Sequence, residues 1–240
     1  KIIMHHTLCK VDSIVALNPV VSLVTLTPQQ PFTYQAGQYL KVVMDEGDQR
    51  PFSIATAPRK DGKIQLHIGA EPGNSYAGEV LDRMRQDNEI TVSGGLGNAF
   101  ARTDTSMPTI LLAGGTGFSY TQAILHEMLA AAEHIKGHKD PVFLYWGTRS
   151  TADMYAYDEL IALEKQHAHF TFIPVVEHPG HQWAGKTGWV HKAVLEDFVS
   201  LEPYRVYVAG RFEMAGVARE EFHQKGLILK NLYGDAFEFI

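Results

Sequence analysis

A six-stranded antiparallel β-barrel over residues 1–103, followed by a parallel-sheet α/β domain over residues 104–240, is the β + α/β fold that this sequence predicts. Three observations carry it. Short, partly alternating β-branched runs separated by turn residues fill the first ninety or so positions, as strands of an antiparallel barrel or sandwich do. After Pro108 the texture changes to near-continuous apolar runs alternating with helical patterns, the pattern of a parallel sheet covered on both faces. Between the two lies ARTDTSMP, Ala101 to Pro108, polar and proline-terminated as linkers are.

In chain order the barrel strands are LCKVDSIVAL, VVSLVTLTP, GQYLKVVM, PFSIATA, KIQLHIGA and NEITVSGG, with one helix predicted from Tyr76 to Arg85 and Ser75 as its N-cap. The second half gives strand TILLAGG, helix YTQAILHEMLAAAE, strand PVFLYWG, helix YDELIALEKQ, strand FTFIPVV, helix AVLEDFV, strand YRVYVAG and helix MAGVAREEFHQKG. That alternation is Rossmann-like. There is no internal repeat and no low-complexity tract.

Composition narrows the function classes. The chain has 240 residues, 21 Lys plus Arg against 27 Asp plus Glu for a net charge of −6, with 45% hydrophobic and 20% charged residues. Those values are globular and exclude a disordered or collagenous chain. No basic run offers phosphate contacts to a nucleic acid, so none is expected as a partner. The single cysteine, Cys9, excludes a disulfide framework, a cysteine-rich zinc site or an iron–sulfur cluster within the chain. No metal is expected, because the 12 histidines include no HExxH or comparable pair beyond the adjacent His5 and His6. The apolar runs fall short of the roughly 20 residues of a membrane helix, and the start lacks a secretory pattern. A cytoplasmic protein without a membrane partner is expected.

The chemistry-bearing pattern of the second half lies at strand ends. Thr109 to Ala113 runs into Gly114, Gly115, Thr116 and Gly117 and then into a helix. Glycines there permit unusual dihedrals and let the backbone approach a phosphate, while the helix start supplies free N–H groups. A strict G-x-G-x-x-G fails at Tyr120, and no Gly-Lys-Ser/Thr follows, so neither the usual dinucleotide fingerprint nor a P-loop is present. Two further strand ends, Tyr145-Trp146-Gly147-Thr148-Arg149 and Ala209-Gly210-Arg211-Phe212-Glu213-Met214, pair a glycine with an arginine fit for phosphate or ribose oxygens. Three glycine-bearing ends in one sheet predict a nucleotide crevice at the carboxyl edge.

In the first half Arg50-Pro51-Phe52-Ser53 is followed by Leu66-His67-Ile68-Gly69-Ala70. In the order RPFS, HIGA, AGGTGFSY, YWG, AGRFEM and GDAFEFI, from about Leu8 to Ile240, the chain resembles the ferredoxin-NADP reductase superfamily. Within it the chain is most similar to the small bacterial NAD(P)H:flavin oxidoreductases of the Fre and LuxG type, the Fre branch above all. The resemblance implies that the RPFS segment lies along a flavin, with the Ser53 hydroxyl at the N5 edge where hydride arrives, Arg50 near the ribityl or phosphate, and Pro51 and Phe52 between them. His67, Ile68, Gly69 and Ala70 would flank the isoalloxazine, chiefly through backbone groups. Ser75, after Pro72-Gly73-Asn74, would cap a helix or hold a phosphate. Phe237, near the C-terminus, would shield the flavin face, or pack with Phe239 into the core.

The activity implied is hydride transfer from NADH or NADPH to riboflavin, FMN or FAD, the flavin serving as a dissociable substrate or weakly bound cofactor. Gly114, Gly115, Thr116 and Gly117 would hold the dinucleotide, with Thr116 near the nicotinamide. Tyr145, Trp146, Gly147, Arg149, Gly210, Arg211, Phe212 and Met214 would line its ribose and phosphate groove. Reduced flavin would then serve ferric reduction, or a flavin-accepting monooxygenase or luciferase as partner. The alternative is a reductase that retains FAD and passes electrons to a protein. Glu133 has the spacing of a ribose-binding acid, and Arg149 the chemistry for a 2′-phosphate, so NADH and NADPH both stay open.

Overall fold

The computed structural model describes residues 5–134 and 140–240. The chain divides into two compact units, the first holding residues up to Ala101 together with Gln122–Ile124, the second the rest.

The first unit is a six-stranded antiparallel sheet made of β1 (His6–Ala16), β2 (Val21–Pro28), β3 (Tyr39–Asp45), β4 (Asp48–Ser53), β5 (Ile64–Gly69) and β6 (Glu89–Leu96), in the order β4-β3-β6-β1-β2-β5. Each predicted strand has a counterpart, but the fourth, predicted over PFSIATA, starts at Asp48 and ends at Ser53. Just past β4, Ala55 N–H donates to the carbonyl of Gln65 on the opposite edge strand (2.8 Å), which brings the two edges of the sheet together. The alternating residues that made these runs legible point inward: Val24, Leu26, Leu40, Val42, Ile64, Leu66, Ile68 and Val92 are all fully buried in one core with Cys9. Burial of such side chains contributes about 1.5–3 kcal/mol each.

Helix α1 (Ser75–Asp87) presents Ala77, Val80, Leu81 and Met84 to this core, the i, i+3, i+4, i+7 stripe of a half-buried helix. The helix begins one residue before the predicted start, and the cap is corrected. Asn74, in extended conformation, accepts from the Tyr76 N–H through its side chain (3.0 Å), and Ser75 is the first helical residue. Asn and Ser are near-equal caps, so residue type alone did not discriminate them. At the other end Asn88 closes the helix in the left-handed region (φ 55°), a conformation asparagine tolerates better than most residues.

The second unit is a parallel sheet of β7 (Thr109–Gly114), β8 (Val142–Thr148), β9 (Phe170–Val176), β10 (Lys186–Thr187), β11 (Arg205–Ala209) and β12 (Leu232–Tyr233), in the order β10-β9-β8-β7-β11-β12. Its helices are α2 (Phe118–His134), α3 (Tyr157–Gln166), α4 (Val190–Asp197) and α5 (Phe212–Gln224). Residues of α4 and α5, among them Val194, Ala215 and Phe222, pack with Ile110, Leu112, Tyr145, Val206 and Val208 on one face. On the other face Trp146 stacks on Phe118 at the start of α2 (centroids 4.1 Å apart). Strands buried on both faces read as continuous apolar runs, and TILLAG and RVYVA do so. The two-residue strands β10 and β12 are not foreseen, being too short to carry a period. Among the described residues no helix is long and apolar enough to cross a membrane.

Candidate functional site

The parallel sheet reverses its direction of growth at β7. From there the chain steps outward through β8, β9 and β10, then returns to lay β11 on the other flank of β7. Ligands of open α/β sheets sit at the carboxyl ends of the strands beside such a reversal. Here that position is built from glycine. A Cβ on Gly117 would lie 2.7 Å from the Ala209 carbonyl oxygen and 3.0 Å from the Gly210 nitrogen, all main-chain atoms. A Cβ on Gly210 would lie 2.5 Å from Met214 Cε and 3.4 Å from the Gly114 nitrogen. The ends of β7 and β11 are therefore pressed together without side chains, roofed only by Met214. Gly115 adopts φ +56°, and the direction its Cβ would take meets nothing within 4 Å. Backbone bared in this way beside the start of α2 fits a pyrophosphate, which needs close main-chain approach and N–H donors.

The loop is held from behind. Trp146, fully buried, donates its indole N–H to the Gly115 carbonyl (2.9 Å), and Ser119 Oγ donates to the Thr116 carbonyl (3.1 Å). Thr116 itself is exposed. Arg149 and Arg211 are exposed at the ends of β8 and β11 and their side chains engage no partner among the described residues, which leaves two cations at this edge for phosphate or 2′-phosphate.

Several residues expected in the groove do other work. Tyr145 is corrected: it is 1% exposed, faces the α4–α5 side, and donates to Asp197 Oδ2 (2.6 Å). Loss of water pushes its pKa far up, and the Asp197 carboxylate adds to that. Trp146 is 0% exposed and reaches the loop through its hydrogen bond to Gly115. Gly147 serves packing, since a Cβ there would lie 2.6 Å from Val190 Cβ. Glu133 is excluded as a ribose ligand. It lies fifteen residues after Phe118 in α2, about 22 Å along the helix from the carboxyl edge. Phe212 and Met214 do sit at the start of α5, with Phe212 half-exposed and stacked on Phe239 (5.9 Å, 16°). Phe237 packs against the second unit's own core, with the Arg219 guanidinium 5.6 Å above its ring; Phe239 is 70% exposed and does not join that core.

In the first unit the two predicted segments occupy the two edge strands, RPFS in β4 and HIGA in β5. Phe52 turns inward against the core, so Pro51 and Ser53 lie on the outer face of β4. Ser53 is half-buried, and its hydroxyl has no partner among the described residues. Directly across the ladder stands Tyr39, whose side chain shares that face. His67 is 9% exposed and, with Gly69, alternates away from the core. The Ile68 side chain is in the core at 0% exposure, the Ala70 N–H is committed to the Val20 carbonyl (2.8 Å), and the main chain of residues 67–69 pairs with β2 along one edge.

Arg50 is corrected most fully. Its guanidinium is engaged within the first unit. Nε and Nη2 donate to Asp48 (3.0 and 2.9 Å), Nη2 also to Glu79 (2.8 Å), and Nη1 to the Tyr76 carbonyl (2.6 Å). Its guanidinium also lies 4.9 Å over the Tyr76 ring. The hydrogen bonds to Asp48 and Glu79 raise its already high pKa further, and the bond to Arg50 lowers that of Asp48. Arg50 thus fastens β4 to the first turn of α1 and orients Tyr76, a 46% exposed aromatic. Tyr39 and Tyr76 went unforeseen because one looks like any strand tyrosine and the other like any residue of a helical turn. Ser75 is exposed at that same turn.

The Oxidoreductase NAD-binding domain family matches residues 111–220, the segment that holds the glycine loop and the β11 end. With the antiparallel sheet before it, this defines the class: an oxidoreductase with the ferredoxin reductase-like fold. A chain from carbazole 1,9a-dioxygenase, described as its ferredoxin reductase, superposes with a TM-score of 0.81 at 21% identity, covering 98% of this chain and 70% of that one. That likeness concerns the fold alone. Sequence relatives are much nearer: the NAD(P)H-flavin reductase of Aliivibrio fischeri is 46% identical over 97% of this chain and 98% of its own length, and that of Vibrio harveyi is 44% identical over the same shares. The chain belongs to the NAD(P)H-flavin reductase family.

Proposed function

We propose that this protein reduces flavin with NADH or NADPH, the dinucleotide held at the glycine-built edge of the second unit and the flavin along the outer faces of β4 and β5 of the first. The observation that carries the reading is the full-length kinship to two NAD(P)H-flavin reductases; the bared backbone at Gly115, Gly117 and Gly210 supports the dinucleotide half. The redox chemistry belongs to the two cofactors, a hydride passing from dihydronicotinamide C4 to flavin N5. The protein's part is alignment, because reacting atoms must be held near van der Waals contact. The Gly115 to Gly117 backbone and the α2 start bind pyrophosphate, while Trp146 keeps that loop in place. Arg149 and Arg211 neutralise phosphate charge. The Ser53 hydroxyl, able to donate or accept, serves the N5 edge, and Tyr39 and Tyr76 present aromatic surface to the ring.

In this reading Arg50 commits four of its five N–H donors to Asp48, Glu79 and Tyr76, which weakens it as an anchor for a flavin phosphate. This supports a flavin that binds weakly and leaves reduced, to serve ferric complexes, a monooxygenase or a luciferase. The test is the visible spectrum of the purified protein followed by NADH oxidation with and without riboflavin or FMN. A colourless preparation that oxidises NADH only when flavin is added is the expected outcome. Stoichiometric bound FAD, with no dependence on added flavin, refutes the dissociable-flavin reading.

A further inference from the structure

We infer that Trp189 is the stacking platform for the adenine ring of the dinucleotide, an inference that rests on the nucleotide site proposed above. A dinucleotide whose pyrophosphate lies at the β7–β11 reversal has two directions in which to lay its adenosine. Toward β12 the way is filled by the chain itself. The turn at Asp235–Glu238 follows directly on β12, and at Gly234 even a Cβ would lie 2.6 Å from the Val208 carbonyl oxygen and 2.9 Å from the Phe237 ring. Toward β8 and β9 the strand ends carry the exposed Arg149 and the largely exposed residues 177–182.

Trp189 stands on that side, with its carbonyl accepting from the Lys192 and Ala193 N–H groups (3.1 and 3.3 Å) and both chain neighbours held. Gly188, in the left-handed region at φ +92°, donates its N–H to the carbonyl of Val176, the last residue of β9 (3.2 Å). Val190 packs into the notch left by Gly147 near the end of β8. The loops leaving the two strands run side by side, with Glu177 N–H donating to the Thr148 carbonyl (2.9 Å) and His178 N–H to that of Arg149 (2.8 Å). Between these anchors Trp189 is 62% exposed. One side of its indole leans on the His191 ring (6.0 Å, 24° between planes), and most of its surface faces water. Of the three tryptophans, Trp146 is wholly buried and Trp183 is tied to the Lys186 carbonyl. A large flat apolar surface on a fixed backbone beside an unpaired arginine suits a purine with its phosphorylated ribose.

The experiment compares wild type with Trp189→Ala and Trp189→Phe, using NADH and its truncated analogue dihydronicotinamide mononucleotide, which lacks the adenosine. Base–aromatic stacking of the usual strength predicts a rise in KM for NADH of about tenfold in W189A, with kcat within about twofold and KM for the mononucleotide and for riboflavin unmoved. W189F recovers most of the NADH affinity. A KM for NADH within twofold of wild type in W189A, or an equal loss with the mononucleotide, overturns the assignment. Titration with 5′-AMP, followed by indole fluorescence, reads the site without turnover: quenching in wild type that disappears in W189F supports it, and absent quenching in wild type, or quenching that survives in W189F, refutes it. AMP quenching at Trp189 in a protein that oxidises no NADH with any flavin would instead break the proposed function while leaving the purine platform standing.

Discussion

Gly117→Ala tests whether the junction of β7 and β11 is what binds the dinucleotide. The added methyl would sit 2.7 Å from the Ala209 carbonyl oxygen, 2.8 Å from its carbon and 3.0 Å from the Gly210 nitrogen. A carbon normally rests about 3.5–4.0 Å from its neighbours, so the loop must retreat by on the order of 1 Å, and none of the three obstacles is a side chain that can swing aside. Overpacking of this kind costs roughly 1–3 kcal/mol of stability. A misplacement of about 1 Å at a positioning element can cost on the order of a hundredfold in rate. Gly115→Ala alters the same loop without overpacking it. It imposes a left-handed φ of +56° on an alanine but meets no atom within 4 Å, for a cost of roughly 1–2 kcal/mol. Steady-state kinetics with NADH and riboflavin, with thermal melts of all three proteins, separate the effects. The expected result is a fall in kcat/KM for NADH of ten- to a hundredfold in G117A, with riboflavin affinity kept and a melt that still shows a folded protein. A folded G117A with the kinetic constants of wild type would mean that the dinucleotide does not use this junction.

Two further outcomes follow from other residues. Ser53→Ala should lower kcat about tenfold while leaving NADH affinity intact, since a hydrogen bond worth roughly 1–3 kcal/mol is lost at the reacting edge; unchanged turnover removes Ser53 from the chemistry. Asp235 has its pKa pushed up to about 6 by burial, with Glu238 adding to the effect. A folded pKa above the unfolded one means that the native state holds more protons, so its contribution is intact below about pH 4 and is lost as pH rises through 6. The loss is on the order of 3 kcal/mol. Asp235→Asn should therefore melt several degrees above wild type at pH 7.5 and close to it at pH 4; an equal difference at both pH values would show that the carboxyl does not titrate in this way.

The fold was legible because both periods were present. Alternation in segments such as YLKVVM and continuous apolarity in TILLAG each have one physical reading, and the polar break before Pro108 marks where one gives way to the other. The glycine loop was legible for the same kind of reason, since a strand that ends in Gly-Gly-Thr-Gly and enters a helix has few alternatives. What the residues could not declare was direction. Tyr145 and Trp146 are adjacent in a strand, so they point to opposite faces and neither points along the strand toward its end. Arg50 lies in a motif that suggested an outward role, yet Asp48 two positions before it and Glu79 twenty-nine after it claim its guanidinium. The second of these pairings is a tertiary fact that no local spacing encodes. Glu133 has the spacing but lies in a helix rather than at a strand end, and that helix carries it to the far edge.

These misplacements share a cause that bears on how the site works. Of the arginines considered, the one spent on holding structure, Arg50, is buried and paired, while Arg149 and Arg211 are exposed at strand ends. A buried guanidinium is tolerable only when its donors are matched, and four of the five N–H groups of Arg50 are matched within the protein. A solvated one keeps its hydrogen-bonding capacity and gives it up to phosphate at modest cost. The same division runs through the aromatics, with Trp146 and Tyr145 sealed in place by hydrogen bonds to Gly115 and Asp197, and Tyr76 and Trp189 left open to solvent. In this protein exposure at a strand end or helix start, rather than membership in a sequence motif, separates side chains available to a ligand from those that hold the scaffold. By that criterion the proposed dinucleotide edge runs from Gly115 through Arg149 to Trp189, and the proposed flavin edge from Ser53 to Tyr76.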